Sequence, residues 1–247
     1  MQDTPAASPL RPLGHLTAVL RGRALPYLRP DGQAGGMSAI AKSPVNGPVA
    51  VGPLGLEGDE QGDLHVHGGP DKALHQYPQE HYAAWRAELG AQAVLETPGA
   101  FGENLASIGL TEATVCWADQ VRIGTCLLEL AQSRQPCWKL NTRFATADMA
   151  LRVQTSGRTG WYWRVLQAGT LQAGDTITLV HRPHPEWPLT RVIALLYERE
   201  LRPAVLHRPE PARRKLPPRA QTPCVRFAWG YAWQRRPRPR SRARSDT

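Results

Sequence analysis

No run of apolar residues in this chain approaches the 18 or so that a bilayer-spanning helix needs, and its Pro-rich first dozen residues hold no hydrophobic signal core. A cytoplasmic protein with no membrane partner is expected. The four cysteines, Cys116, Cys126, Cys137 and Cys224, include no CxxC pair and no dense disulfide pattern. That argues against a zinc ribbon, an iron–sulfur centre and a secreted scaffold, and it leaves at least one thiol free for chemistry. Flavin and nicotinamide fingerprints are missing too. Acidic residues fall short, 21 against 30 Lys and Arg, but the shortfall is local. Residues 202–247 carry thirteen basic and two acidic residues, so the preceding part of the chain sums to −2. The basic pI therefore belongs to the tail, and charge gives no reason to read the body as a nucleic-acid-binding domain.

What the chain does have is a dense polar segment from Gly58 to Lys72, holding Asp59, Glu60, Asp63, His65, His67, Asp71 and Lys72. Its glycines and Pro70 work against a regular helix, so it reads as a loop that gathers polar groups at one spot. His65 and His67 would face the same way in a strand and different ways in a helix. A solvated turn is the plainer alternative, but the density of ionisable groups favours a binding or catalytic role.

Around that segment the pattern is one of short strands. Residues His15 to Arg23, Pro48 to Val51, Val115 with Trp117, Val121 with Ile123, Leu127 to Leu130, Trp161 to Leu166 and Thr176 to Val180 read as strands. Turns occur at Gly99 to Leu105, Ser156 to Gly160 and Ala173 to Asp175. Helices are expected at Gln79 to Leu89, where Tyr82, Trp85 and Leu89 share a face, and from about Ala145 to Val153. Thr190 reads as the N-cap of a last helix running to about Glu200. Strands interrupted by so few helices predict a mainly β (α+β) chain, closed or nearly closed into a barrel. The expected organisation is a flexible N-terminus at 1–12, one main domain at 13–185, a short C-terminal helix at 186–201 and a disordered Arg/Pro-rich tail at 202–247. Trp229, Tyr231 and Trp233 lie among the tail's basic residues, a composition suited to weak polyanion binding.

Cys137 follows the Leu127–Leu130 strand directly, beyond Pro136, which ends sheet pairing. Arg134 and Lys139 flank it, and positive charge nearby favours the thiolate needed for nucleophilic attack or metal ligation.

Taken together, the motifs resemble those of MOSC-domain proteins, and within them the YiiM, or 6-N-hydroxylaminopurine-resistance, branch. The matching pieces, in order, are Lys42-Ser43-Pro44, Gly55 to Asp63, His67 to Ala73, Tyr77, His81-Tyr82 with Trp85, Gly99 to Asn104, Arg134 to Cys137 with Lys139-Leu140, and Gly157 to Tyr162. They span roughly residues 13 to 200. The resemblance implies a MOSC domain over 13–185 with a β-barrel and peripheral helices, binding the molybdenum cofactor (molybdopterin), with Cys137 as the molybdenum ligand. Pyridoxal phosphate is not implied. It further implies reduction, and so detoxification, of small-molecule N-hydroxylated substrates such as hydroxylaminopurines and amidoximes. Branch members continue into more helix where this chain turns Arg/Pro-rich.

The residues agree with that chemistry. Cleaving N–OH to N–H and water takes two electrons and two protons, and a soft thiolate suits molybdenum. His67 is the first candidate for proton delivery because the glycines beside it leave room for a ligand, followed by His65, Asp63 and Glu60. Lys42, Lys72, Asn104, Arg134 and Arg143 are the candidates for the pterin phosphate. With no electron-carrying motif in the chain, a separate electron-donating reductase is expected as partner. Two other readings compete: a non-catalytic MOSC module carrying the cofactor or sulfur on Cys137, and a zinc hydrolase built on His65, His67 and a carboxylate.

Overall fold

The computed structural model describes residues 11–63 and 67–197. The expectations for residues 1–10, for His65 and for the tail lie outside that range.

Strands dominate the first part of the chain: β1 (Arg11–Arg21), β2 (Leu25–Leu28), β3 (Ala34–Ser38), β4 (Ser43–Pro44), β5 (Val49–Gly52) and β6 (Gly55–Leu56). Next come β7 (Leu74–Pro78), helix α1 (Glu80–Leu89), β8 (Leu105–Ile108), β9 (Gln120–Ile123) and β10 (Cys126–Ser133). Helices α2 (Lys139–Arg143) and α3 (Met149–Ser156) precede β11 (Trp161–Gln167), β12 (Gly169–Leu171), β13 (Thr176–His181) and α4 (Leu189–Tyr197).

Seven strands close into a barrel in the order β1, β13, β9, β10, β11, β7, β8, because β1 pairs with both β13 and β8. Every pairing in the ring is antiparallel except β7 with β8. Closure removes the edges that an open sheet would present. The alternation in β11 shows how the sequence sets the facing: Trp161 and Trp163 are fully buried while Tyr162 and Arg164, which alternate with them, are partly exposed. Hairpin β2–β3 and the small β12–β5–β6 sheet stand beside the ring.

Outside the strands, Tyr82 and Trp85 of α1 pack with Leu95, Phe101, Leu140, Phe144, Met149 and Val153 into an aromatic-rich cluster, and Leu89 lies against it. The face expected from the Tyr82, Trp85, Leu89 spacing is the buried one. Phe101 stacks on Tyr77 of β7 at 4.0 Å between ring centroids, tying this cluster to the barrel wall.

Several boundaries differ from the sequence reading. Strand β1 already includes Arg11 and Pro12, which pair with Leu179 and Thr178, so the main domain begins inside the segment expected to be a free N-terminus. Val115 and Trp117 are not strand: this stretch forms one isolated bridge, Cys116 with Pro188, and Trp117 donates to the Trp187 carbonyl. Helix α3 starts at Met149 rather than Ala145, whose φ of 47° is left-handed and incompatible with a helix interior. Helix α4 starts at Leu189, which places Thr190 within its first turn instead of at its cap. The α2 turn after Cys137 carries too few residues to show a periodicity.

Candidate functional site

The register of the ring brings the end of β10, the beginnings of β11 and β8 and the middle of β7 together. Ser133 pairs with Trp161, Trp161 with Gln76, and Gln76 with Leu105. Just beyond these ends lie Arg134 and Cys137 after β10, and Asn104 before β8. His75 and Tyr162 are direct cross-strand partners, their rings 5.0 Å apart. These side chains line a cleft open to solvent, together with Lys42, Asp59, Glu60, His67, Lys72, Phe101, Gln135 and Lys139.

The His67 amide donates to the Asp63 carbonyl at 2.8 Å. Burial is the largest influence on the His67 imidazole, followed by the positive charges of Lys139 and Lys72, and together they push its pKa down to about 4 despite Asp63. His75 is held well below the usual range by complete burial and by Arg134. Both imidazoles are therefore neutral near pH 7.

Lys42 is paired with Asp59, and burial lowers its pKa against that pairing. Asp59 also accepts from the Gly22 amide at 2.8 Å and from Asn104 Nδ2 at 2.8 Å. Asn104 is spoken for on both ends: Oδ1 accepts from the His75 amide, and Nδ2 reaches the Leu20 carbonyl as well as Asp59. Its amide braces the floor of the cleft. Glu60, at the mouth, accepts from the Ala24 amide at 2.8 Å and faces Arg23 at 3.9 Å.

Arg134 is 5 % exposed; Nη2 donates to the Phe101 carbonyl at 3.1 Å, Nη1 makes no well-formed hydrogen bond, and the guanidinium interacts with the Tyr162 hydroxyl. His67 Nδ1 is buried without a partner as well. Such atoms are costly unless something pairs with them. Four cations line the cleft against two carboxylates, so its local charge is positive although the body as a whole is not. Cys137 is a free, half-buried thiol in the same wall. The other two described cysteines sit elsewhere: burial raises both thiols, Cys126 to about 11. An anionic group with a thiol-seeking metal fits these donors, the cofactor expected from the sequence included.

Not every expected residue arrives. Arg143 does not line the cleft; its guanidinium is spent on the Ala100 and Gly99 carbonyls, both at 2.7 Å, where it fixes the turn before Asn104. Asp63 contributes its carbonyl to the His67 turn and does not line the cleft. His65 is outside the described residues. Glu103 likewise shapes that turn, accepting from Tyr82, Gly99 and Phe101. Among the described residues, no three of His, Cys, Asp and Glu converge in a way that could hold a metal, so the zinc reading gains no support there.

Sequence reasoning missed His75, Tyr162 and Lys139 as cleft residues. All five residues of β7 are buried, so no alternation singled out His75. Tyr162 and Lys139 stood in the motifs quoted above, but nothing in their spacing assigned them to the cleft.

Residues 63–178 match the MOSC domain family. Protein YiiM of Escherichia coli is 47 % identical over 145 residues, covering 59 % of this chain and 65 % of that protein. A protein named "Reductase" from Gibberella moniliformis is 40 % identical over 165 residues, 66 % of this chain but 29 % of that protein. This chain thus spans less than two thirds of either curated relative. The crystal structure of YiiM from Geobacillus stearothermophilus superposes with a TM-score of 0.62 at 32 % identity, covering 76 % of this chain and 86 % of that one.

Proposed function

This chain belongs to the MOSC-domain family, and we propose that it is a molybdenum-cofactor-dependent reductase of N-hydroxylated compounds. The observation that carries the reading is the meeting, in one positive cleft, of a free thiol on Cys137 with the buried, unpaired Nη1 of Arg134. When bound, the cofactor supplies the two electrons that, with two protons, convert N–OH to N–H and water.

The chain's own residues have separable tasks. Cys137 ligates the metal as thiolate. Arg134 donates Nη1 to an anionic oxygen of the cofactor, with Lys72 and Lys139 adding charge. Asp59 and Asn104 keep the floor rigid. Phe101 and Tyr162 wall the cleft with apolar rings that limit water around the reacting bond. His67 is neutral in the free protein first because it is buried and then because cations repel its proton; an anion bound among those cations offsets the second effect and raises its pKa. Electrons come from a separate reductase, a reading that rests on the lack of a flavin, nicotinamide or iron–sulfur motif in the sequence.

The test is elemental analysis of protein made in a host that produces the cofactor, followed by turnover of a hydroxylaminopurine or an amidoxime with a chemical electron donor. Molybdenum with turnover is expected. Molybdenum without turnover would leave a cofactor or sulfur carrier, and no molybdenum would end the proposal.

A further inference from the structure

Every anchor of the segment that follows Cys137 onto β2 and β3 comes from one hairpin. The Tyr27 hydroxyl donates to the Lys139 carbonyl at 3.0 Å, Lys139 Nζ donates to the Met37 carbonyl at 3.0 Å, and the Thr142 hydroxyl donates to the Leu28 carbonyl at 3.2 Å. Between these bonds lies the Trp138 indole, next in sequence to Cys137. The Tyr27 ring is 5.9 Å from it and the Arg29 guanidinium 5.1 Å from its centre. Its far edge presses on Gly35, where an added methyl would overlap Cη2, lie 3.0 Å from Cζ2 and also come within 2.8 Å of the Tyr27 carbonyl oxygen inside the hairpin.

Gly35 sits within β3 with no positive φ, so its backbone does not call for glycine. A glycine inside a strand weakens it, and the usual compensation is room for something that comes close. Here two groups come close, the Trp138 ring edge first and the Tyr27 carbonyl oxygen second. Because the Cys137 carbonyl accepts from the Leu140 amide and the Trp138 carbonyl from the Asn141 amide, both residues move with the first turn of α2. A displaced indole cannot leave the thiol where it was.

We infer that hairpin β2–β3 sets the position of the Cys137 thiol through the Gly35–Trp138 contact, making Gly35, Trp138 and Tyr27 positioning residues for the site. The inference rests on the reading that Cys137 is the reactive thiol of the cleft, but not on what that thiol binds. None of the three is among the residues that line the cleft.

The experiment is the rate of Cys137 alkylation by iodoacetamide, in full-length protein carrying Cys224→Ser; Cys116 and Cys126 are 4 % and 0 % exposed and serve as slow internal controls. Gly35→Ala should shift the rate severalfold with the melting temperature of a folded protein retained. Gly35→Ala with Trp138→Leu, which removes the clashing ring edge but not the close approach to the Tyr27 carbonyl oxygen, should return part of the way toward the parental rate. Tyr27→Phe, which deletes only the bond to the Lys139 carbonyl, should shift the rate in the same direction as Gly35→Ala and stands in for it if that variant does not fold. In loaded enzyme, kcat should fall with KM little changed, since displacement of a reacting group by about 1 Å can cost on the order of 10²-fold. Parental alkylation rates in Gly35→Ala and Tyr27→Phe, or no recovery in the double variant, would overturn the inference. Failure of the reductase reading would show separately, as parental protein that holds no molybdenum.

Discussion

The Lys42 ammonium and the Asp59 carboxylate form an ion pair in which each side chain is only 7 % exposed. Asp59 is held in addition by the Gly22 amide and by Asn104, whose own amide reaches the backbone of His75 and Leu20. The pair therefore links the end of β1, the β4 approach and the start of β8 beneath the cleft. It also cancels one of the four cations there, which leaves the attraction of an anion to Arg134, Lys72 and Lys139.

Asp59→Asn should leave the Lys42 charge buried without its counter-ion. Breaking a buried pair on one side typically costs about 3–5 kcal/mol. Urea unfolding should show that loss, and Lys42→Met added to Asp59→Asn should recover part of it. An unchanged urea midpoint in the single variant would mean that Lys42 swings out to solvent and the pair is not a structural element.

Cys137→Ser should abolish molybdenum retention while leaving the fold intact, because a hydroxyl is a poorer and harder ligand than a thiolate. Cys116→Ser and Cys126→Ser should keep the metal, since both thiols are buried away from the cleft and held protonated by that burial. Elemental analysis of the three folded variants decides the matter. Equal molybdenum in the Cys137 variant and the parent would remove this thiol from the ligand role.

His67 makes a pH-dependent contribution whose sign follows from its lowered pKa. The folded value of about 4 lies below the ordinary 6.5, so between these pH values the unfolded chain binds more protons than the folded one. Stability from this group is complete above pH 6.5 and is lost as pH falls toward 4, by roughly 3 kcal/mol at most. Denaturant unfolding at pH 4.5 and 7 should therefore show a smaller pH effect in His67→Gln than in the parent. The same slope in both proteins would place the imidazole in solvent, free to protonate.

Much of the fold was legible because periodicity reports burial. The Tyr82, Trp85, Leu89 spacing pointed to one apolar helix face, and that face packs into the core, with Tyr82 and Trp85 buried and Leu89 lying against them. Barrel closure rests on the pairing of β1 with β13, two segments some 160 residues apart; the run of short strands pointed to a closed or nearly closed sheet, but no local pattern says which strands meet. At the site, flanking cations pointed to Cys137, and the polar loops pointed to the right neighbourhood. What the sequence could not separate was a charge aimed into the cleft from one that braces it. Arg134 and Arg143 look alike in sequence, yet Arg143 spends its guanidinium on two carbonyls while Arg134 keeps Nη1 unpaired. That difference depends on where the Gly99–Asn104 turn passes, which is a tertiary fact.

The position of a C-terminal cut should decide between loss of the tail and loss of the site. The last cleft-lining residue is Tyr162, but α4 is tied to the site, because the Tyr197 hydroxyl donates to the Arg134 carbonyl at 3.4 Å and Leu189, Val192 and Ile193 are buried. Truncation after Glu200 should keep this helix and leave reductase activity nearly unchanged. It should also weaken salt-sensitive polyanion binding, since residues 202–247 hold thirteen basic and two acidic residues while the remainder sums to −2. Truncation after Pro188 should instead destabilise the protein, because three buried apolar side chains are lost and each is worth about 1.5–3 kcal/mol when fully buried. An activity assay and a heparin titration at two salt concentrations, run on both truncations, separate the effects. Loss of activity in the longer form would mean that the tail acts on the site. Undiminished heparin binding in the longer form would place the polyanion surface on the barrel, where the positive cleft is the first place to look.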